Sequence, residues 1–436
     1  MTERRDFIKG AGAALTTQIF TGAVKGANDR ISVAFIGMGR MGMGNLGHAM
    51  KQPNVEIAAV CDVYQPHLEK AVAASARGPN NEPGARPAAR GVKDFREILN
   101  DKSIDAVCIA TPDHWHPYMT VEACKHGKDV YVEKPVAVAV EEGRKMVQAA
   151  RKYNRVVQAG TMQRSGAHFQ KACEIVRSGQ LGKVTFVRTW NYSNMKEEGI
   201  GAPPDTAPAP GLDWEMWLGP APERPFNANR FGVDPNAFSH FRWFWDYAGG
   251  MMTDWGIHLL DIVQMAFDEA APTAVTALGS KLFIKDNRET PDTLQVTYEY
   301  PGFIATYENR LGNAQSMFQQ NYGILFHGSK GTLFVDRGRY QLYPEKDSTL
   351  EEVTVKSSNN SNMAHWANFL ECIKTRQKPV SDIEIGHRST TTALLGNVAL
   401  RSKLRIDWDS KAETTAQPAA RKFLHREYRK PWKLEV

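Results

Sequence analysis

The chain has 436 residues, of which 42% are hydrophobic and 23% charged, and a formal net charge of +6. That length supports two domains with a sizeable core, and the composition excludes wholesale disorder. A small positive charge spread over so long a chain excludes a nucleic-acid binder, which gathers its basic residues on one face or in one tract.

The start, TERRDFIKGAGAALTTQIFTGA, holds the pair Arg4–Arg5, a weakly apolar run broken by Thr16, Thr17 and Gln18, and small residues around Thr21, Gly22 and Ala23. A membrane span needs about 20 mostly apolar residues, so stable membrane insertion is not expected. Residues 1–28 read as a twin-arginine signal, which predicts export to the periplasm of an already folded protein. The signal pattern departs at Glu3 and Ile8.

Residues 29–155 alternate strand-like runs (ISVAFIG, VEIAAVCD, IDAVCIAT, KDVYVEKP) with helical stretches after Gly42, after Pro66, around DFREILND, after Pro117 and over VEEGRKMVQAARKYN. This alternation predicts an α/β fold, a doubly wound parallel sheet of the Rossmann kind with right-handed crossovers. RGPNNEPGARPAARG interrupts it as a surface loop. Gly37, Gly39 and Gly42 form G-x-G-x-x-G directly after the first strand, with Arg40 and Met41 inside the motif. Such glycines permit a tight turn and close approach of a pyrophosphate to a helix N-terminus. Asp62 closes the second strand, where a carboxylate accepts hydrogen bonds from ribose hydroxyls and repels a 2′-phosphate. Val63 and Tyr64 supply no arginine for such a phosphate, so the pattern predicts NAD over NADP.

Residues 156–436 have a different texture. KVTFVRTWNY, DTLQVTYEYPGFIATYENR and GILFHGSKGTLFVDRGRYQLYP are period-two strands joined by turn signals, which predict an α+β domain with an open, mainly antiparallel sheet. The proline-rich stretch from Pro203 to Pro225 reads as a long, packed, functional loop carrying Trp214 and Trp217. In TDWGIHLLD, Asp254 and His258 are four apart and Asp261 three further on, one face of a helix. The spacing leaves a helix cap at Thr253 or Asp254 and a core histidine as alternatives. Gln163 and Arg164 of MQRS, with Trp245 and Tyr247 of FRWFWDYAGG, suit a sugar, with aromatic faces on C–H surfaces and polar forks on hydroxyls. Core packing is the alternative for the aromatics, Trp243 among them. Cys61, Cys108, Cys124, Cys173 and Cys372 are too scattered for a disulfide framework. His114 and His116 lack a third ligand nearby, so no metal is expected. The basic end, AARKFLHREYRKPWKLEV, reads as a solvated or subunit-contacting tail.

With the glycine motif, TPDHWHP and VEKPVAV resemble the glucose–fructose oxidoreductase/inositol dehydrogenase (Gfo/Idh/MocA) family, whose members carry a TPN-x-x-H loop and an EKP strand end. The resemblance runs from about Ser32 to about Trp408. The arginine-pair start and the ending REYRKPWKL resemble its secreted branch. The resemblance implies that Lys134 of Glu133-Lys134-Pro135 lies against the nicotinamide and the reacting hydroxyl. It implies that His258 is the general acid/base with Asp254 beside it, a carboxylate that would hold the ring and stabilise its protonated form. Thr111, Pro112, His116 and Glu133 become cofactor-side residues, and Asp113 replaces the family's asparagine.

These readings together predict an exported, NAD-dependent oxidoreductase of a sugar or polyol hydroxyl, its substrate in the cleft between the domains. Away from a cytoplasmic pool to reoxidise NADH, the cycle would close within one active site. One alternative is an NAD-dependent glycosidase, in which transient oxidation of a carbinol permits elimination, water addition and return of the hydride. A non-catalytic sugar- or nucleotide-binding protein is the other. An exposed sheet face in such a fold suits a homo-oligomer.

Overall fold

The computed structural model describes residues 30–78, 82–232 and 240–436; the twin-arginine segment, 1–28, lies outside them. Six parallel strands, β1 (Ile31–Ile36), β2 (Val55–Cys61), β3 (Arg90–Val92), β4 (Ala106–Ile109), β5 (Asp129–Val132) and β6 (Val157–Ala159), form one sheet in the order β3-β2-β1-β4-β5-β6. Their near-continuous apolar runs follow from burial on both faces: every residue of β4 and of β5 is buried, as crossover helices require. The strand order reverses between β1 and β4, so the carboxyl ends of these two strands open the crevice in which doubly wound folds bind ligands. β3 falls at the end of the proline- and glycine-rich stretch, where three residues beside an edge left no readable pattern.

A second sheet holds β7 (Val184–Tyr192), β8 (Ala274–Ser280), β9 (Thr293–Tyr300), β10 (Phe303–Arg310), β11 (Tyr322–Gly328), β12 (Gly331–Val335), β13 (Arg339–Pro344), β14 (Val353–Lys356), β15 (Ile406–Asp409) and β16 (Thr414–Thr415). Its order is β14-β13-β12-β11-β7-β10-β9-β8-β15-β16, antiparallel except where β10 runs parallel to β7. Leu294, Val296, Tyr298 and Tyr300 alternate inward with partly or fully exposed neighbours, so one face packs and the other is open. The packed face meets the helices Ala167–Arg177, Ile257–Ala266 and Ile383–Ser402 in one apolar core.

Two late helices return to the first sheet. Trp366, on the helix Ser361–Thr375, stacks on Tyr131 at 4.7 Å and donates through Nε1 to Asn45 Oδ1 at 2.9 Å. Ile383 joins the core beneath β5 and β6. The basic end is not a solvated tail. Arg426 Nε and the Tyr428 hydroxyl both donate to Glu142 Oε1 at 2.7 Å, and the Trp432 ring lies 4.8 Å from Trp115. Alternating cations and aromatics let this segment gain ion pairs and apolar contact together, strapping the chain end across the first domain.

Glu142 is only 3% exposed, and removing one partner of a buried pair leaves a charge uncompensated. Arg426→Ala is therefore expected to cost about 3 kcal/mol of stability, read from the urea midpoint at unchanged slope. A shift near zero would show that the strap rests on its apolar contacts alone.

Candidate active site

The glycine turn leaves β1 with Gly37 at φ +87°, a conformation open to glycine. A Cβ there would stand 2.6 Å from the Thr111 nitrogen, and one on Gly42 would meet the Gly37 oxygen at 1.9 Å. The turn is thereby pressed onto both β4 and its own helix, Arg40–Ala49. Gly39 differs: a Cβ there would meet nothing within 4 Å among the described residues, leaving the backbone open to the cleft. The helix that follows has no side-chain cap and no acid in its first turn, so its N–H groups and positive dipole end await an anion. Asp62 accepts from Met38 N at 2.6 Å and from Tyr64 N at 2.9 Å, locking the end of β2 to the turn. Thr111 Oγ1 is buried with no partner among the described residues. The open cradle, the bare helix end, the unpartnered hydroxyl and the acid at β2 fit a dinucleotide.

Asp254 organises the other wall. It lies on a π-helical turn, Met252–Gly256, that feeds the helix Ile257–Ala266; such wide turns recur at functional sites. Lys134, just past β5, donates from Nζ to Asp254 Oδ1 at 2.9 Å and to the Asp254 carbonyl at 3.0 Å. Arg242 approaches Oδ2 at 2.9 Å. Burial alone would raise the Asp254 carboxyl, but the Arg242 and Lys134 charges overcome it and hold the group at about 2. Asp254 stays ionised, and Lys134 is aimed by it across the domain boundary.

His258 lines the same cleft. Burial, then the Lys134 and Arg337 charges, push its imidazole well below the usual histidine range, and Nδ1 has no partner among the described residues. The expected picture, a carboxylate holding a protonated ring, is corrected here. Asp254 spends both oxygens on cations, and the neutral ring is the form able to accept a proton. Asp261, on the expected shared face, instead accepts from Arg164 and Ser389 inside the core.

Asp113 also faces the cleft. Burial pushes its carboxyl up to about 8; Lys134 pulls it down and Asp254 up by smaller amounts. It is protonated at neutral pH and so presents a hydroxyl donor beside a carbonyl, much as an asparagine presents an amide. Burial also pushes Glu133 up, against the opposing pull of Lys134, and its Oε1 accepts from Asn45 at 2.8 Å. His116 is pushed down to about 4 by burial, its ring nitrogens 2.7 and 2.9 Å from the carbonyls of Pro135 and Thr111. Burial likewise pushes His114 well down, and its Nε2 lies 3.0 Å from the Trp217 carbonyl.

The cleft thus gathers Gly37, Gly39, Arg40, Met41, Asp62, Thr111, Pro112, His116, Glu133, Lys134, Asp254 and His258 around about 350 Å³, with Gly42 directly behind the turn. It does not gather the four residues expected to hold substrate. Arg164 is 3% exposed and committed to Asp261 and Glu269. Gln163 sits behind the wall, donating to the His258 carbonyl at 3.2 Å. Tyr247 is fully buried among Trp217, His114 and Phe244, the core alternative. Trp245 lies under Arg401, whose guanidinium is 4.9 Å from its ring, in a separate small depression. In their place the structure brings in Arg242, Trp255 and Arg337. Arg242 stood within FRWFWDYAGG as a visible charge among aromatics, whereas Arg337, on a hairpin turn far along the chain, carried no local signal.

Residues 31–161 match the family described as GFO_IDH_MocA, oxidoreductase family, NAD-binding Rossmann fold. Residues 165–434 match its oxidoreductase family C-terminal alpha/beta domain. A "Glycosyl hydrolase family 109 protein" of Shewanella sp. (strain W3-18-1) is 28% identical over 203 residues, 42% of this chain and 44% of the relative. The chain therefore matches under half the length of that curated relative. The WlbA dehydrogenase from Bordetella pertussis, in complex with NADH and UDP-GlcNAcA, has 19% identity and a TM-score of 0.64, covering 87% of this chain and 99% of that one. Levoglucosan dehydrogenase with NADH and levoglucosan gives 17% and 0.65 over the same shares. At these identities the solved structures speak to the fold.

The raised Asp113 carboxyl makes a stability prediction. The folded chain keeps a proton that the unfolded chain releases near 3.8. Its contribution is therefore complete below that value and is lost as pH rises towards about 8. Urea midpoints of the native protein should fall against those of Asp113→Asn between about pH 5 and pH 9. Parallel profiles would mean that Asp113 is ionised throughout.

Proposed function

The chain belongs to the Gfo/Idh/MocA oxidoreductase family, and on that premise we propose that it oxidises a carbinol of a sugar or polyol using NAD held in its Rossmann domain. The observation that carries this reading is the pair Lys134–Asp254, 2.9 Å apart, which places one ammonium at the seam between the glycine-turn domain and the wall bearing His258. The dinucleotide would be held by the Gly37–Gly42 turn, Asp62 and Thr111, and when bound it supplies the hydride acceptor. An ammonium at Lys134 stabilises negative charge developing on a carbinol oxygen. The neutral imidazole of His258 accepts the hydroxyl proton. Asp254 orients Lys134. Protonated Asp113 donates a hydrogen bond into the same space.

The arginine-pair start supports export of the folded chain with NAD aboard, since tight binding also stabilises the fold by mass action. A cycle that closes within one site then follows. The glycosyl hydrolase relative favours a second reading, net hydrolysis of a glycoside by oxidation, elimination, hydration and reduction. That route uses the same Lys134 and His258, and it needs no paired carboxylates because carbinol oxidation does the activating. Retention of these two residues weighs against a non-catalytic binder.

Denaturing the purified mature protein and identifying what it releases tests the self-closing cycle. Near-stoichiometric NAD is expected, whereas an empty protein that binds NAD weakly would overturn it. Lys134→Met and His258→Gln should each lower kcat by about 10²–10⁴-fold on a sugar and glycoside panel, with NAD content unchanged. Activity surviving both changes would refute these roles, and release of free sugar without net NADH would select the glycosidase.

A further inference from the structure

Within this site the charges do not balance. Lys134, Arg242 and Arg337 all line the cleft, and Asp254 is the carboxylate between them, one oxygen on Lys134 and the other on Arg242. His258 is neutral and Asp113 is protonated at neutral pH. Glu133 is turned onto Asn45. Among the described residues no carboxylate forms an ion pair with Arg337; Asp254 attracts it only from a distance.

Arg337 is nevertheless held in place. It stands on the turn between β12 and β13, where Asp336 Oδ1 accepts from Gly338 N at 2.7 Å and Arg339 N at 2.9 Å. His168 Nε2 lies 2.9 Å from the Asp336 carbonyl. The guanidinium rests 4.7 Å from the Trp255 ring centre and 6.0 Å from that of Tyr322. Its Nε donates to Gln163 Oε1 at 3.2 Å, and Gln163 is itself tied to the His258 carbonyl. One edge of the fork is thus used for positioning, and among the described residues the two terminal nitrogens have no hydrogen-bond partner, which leaves them to meet a ligand. A largely buried guanidinium without an anion is costly, and a fixed planar fork suits an oxyanion held by two oxygens.

We infer that the substrate is a sugar bearing an oxyanion, a carboxylate as in a sugar acid, and that Arg337 is the residue that reads it. This rests on the sugar reading above and narrows it, because a neutral sugar would leave the guanidinium uncompensated. The bound carboxylate would lie beside Trp255, between Arg337 and the Lys134–Asp254 pair, with the carbinol to be oxidised towards Lys134 and His258.

Calorimetric titration of the NAD-loaded protein provides the test, with D-glucuronate, D-galacturonate and D-gluconate set against glucose, galactose and sorbitol. At least one acid should bind about tenfold or more tighter than its neutral partner. Glucose 6-phosphate identifies the source of the oxyanion: weaker binding than the acid assigns the carboxylate, and tighter binding overturns the carboxylate in favour of phosphate. Arg337→Gln should bring acid and neutral sugar within about twofold, and Arg337→Lys should recover part of the difference. If R337Q does not fold, Gln163→Leu keeps the charge but frees Nε, and it should lower the preference several-fold. Equal binding of acids and neutral sugars, no binding of any acid, or a preference that survives R337Q would overturn the inference. Binding heats require no turnover, so a protein that prefers acids yet shows no nicotinamide reduction, even transiently, would refute the oxidoreductase reading alone.

Discussion

One carboxylate carries the architecture of this site. Asp254 is largely buried, yet it stays ionised because Lys134 and Arg242 reach its two oxygens from different parts of the chain. Taking the carboxylate away would leave two cations facing each other in a low-dielectric cleft, where breaking a buried pair costs far more than an exposed one. The pair also spans the two domains, since Lys134 lies just past β5 of the parallel sheet and Asp254 precedes the helix under the second sheet. The ion pair is thus one of the contacts that join the two sheets' domains, and it lies at the site itself.

The rest of the local electrostatics follows from that arrangement. Burial first, and then the cations Lys134 and Arg337 attracted to Asp254, keep the His258 imidazole neutral and able to take a proton. Burial raises Asp113, and the Asp254 charge adds to the effect, so a residue that is formally acidic serves as a hydrogen-bond donor. An acid in place of the family's asparagine is thereby compatible with the site. Two neighbouring carboxyls are driven to opposite protonation states by the number of cations each one touches.

The cofactor side owes its shape to sterics rather than charge. Gly37 and Gly42 are fixed by what a Cβ would strike, the backbone just past β4 in one case and the turn itself in the other. Gly39 has no such neighbour among the described residues, as expected of a position that a ligand approaches. Arg164 shows the converse. Its charge reads locally as a substrate contact, yet Asp261 and Glu269 bury it within the second domain, where it anchors the helix carrying His258.

What the sequence determined by itself was whatever is encoded within one element and its neighbours. The strand–helix alternation from Ile31, the glycine spacing, Asp62 at the end of β2 and the period-two strands after residue 184 each depend on contacts a few residues apart or on one repeating period. They yielded the Rossmann sheet, the second sheet and the NAD site. Lys134, Asp254 and His258 came from motifs rather than from periodicity. Tertiary structure alone decided which charges meet. Arg337 reaches His258 from a hairpin turn, Trp366 caps Tyr131 from a helix late in the chain, and the basic end folds onto Glu142. It also decided that Arg164 and Tyr247 are interior while Arg242 is in the cleft. Coulomb energy and desolvation depend on distance and burial, and a linear pattern specifies neither for residues a hundred positions apart.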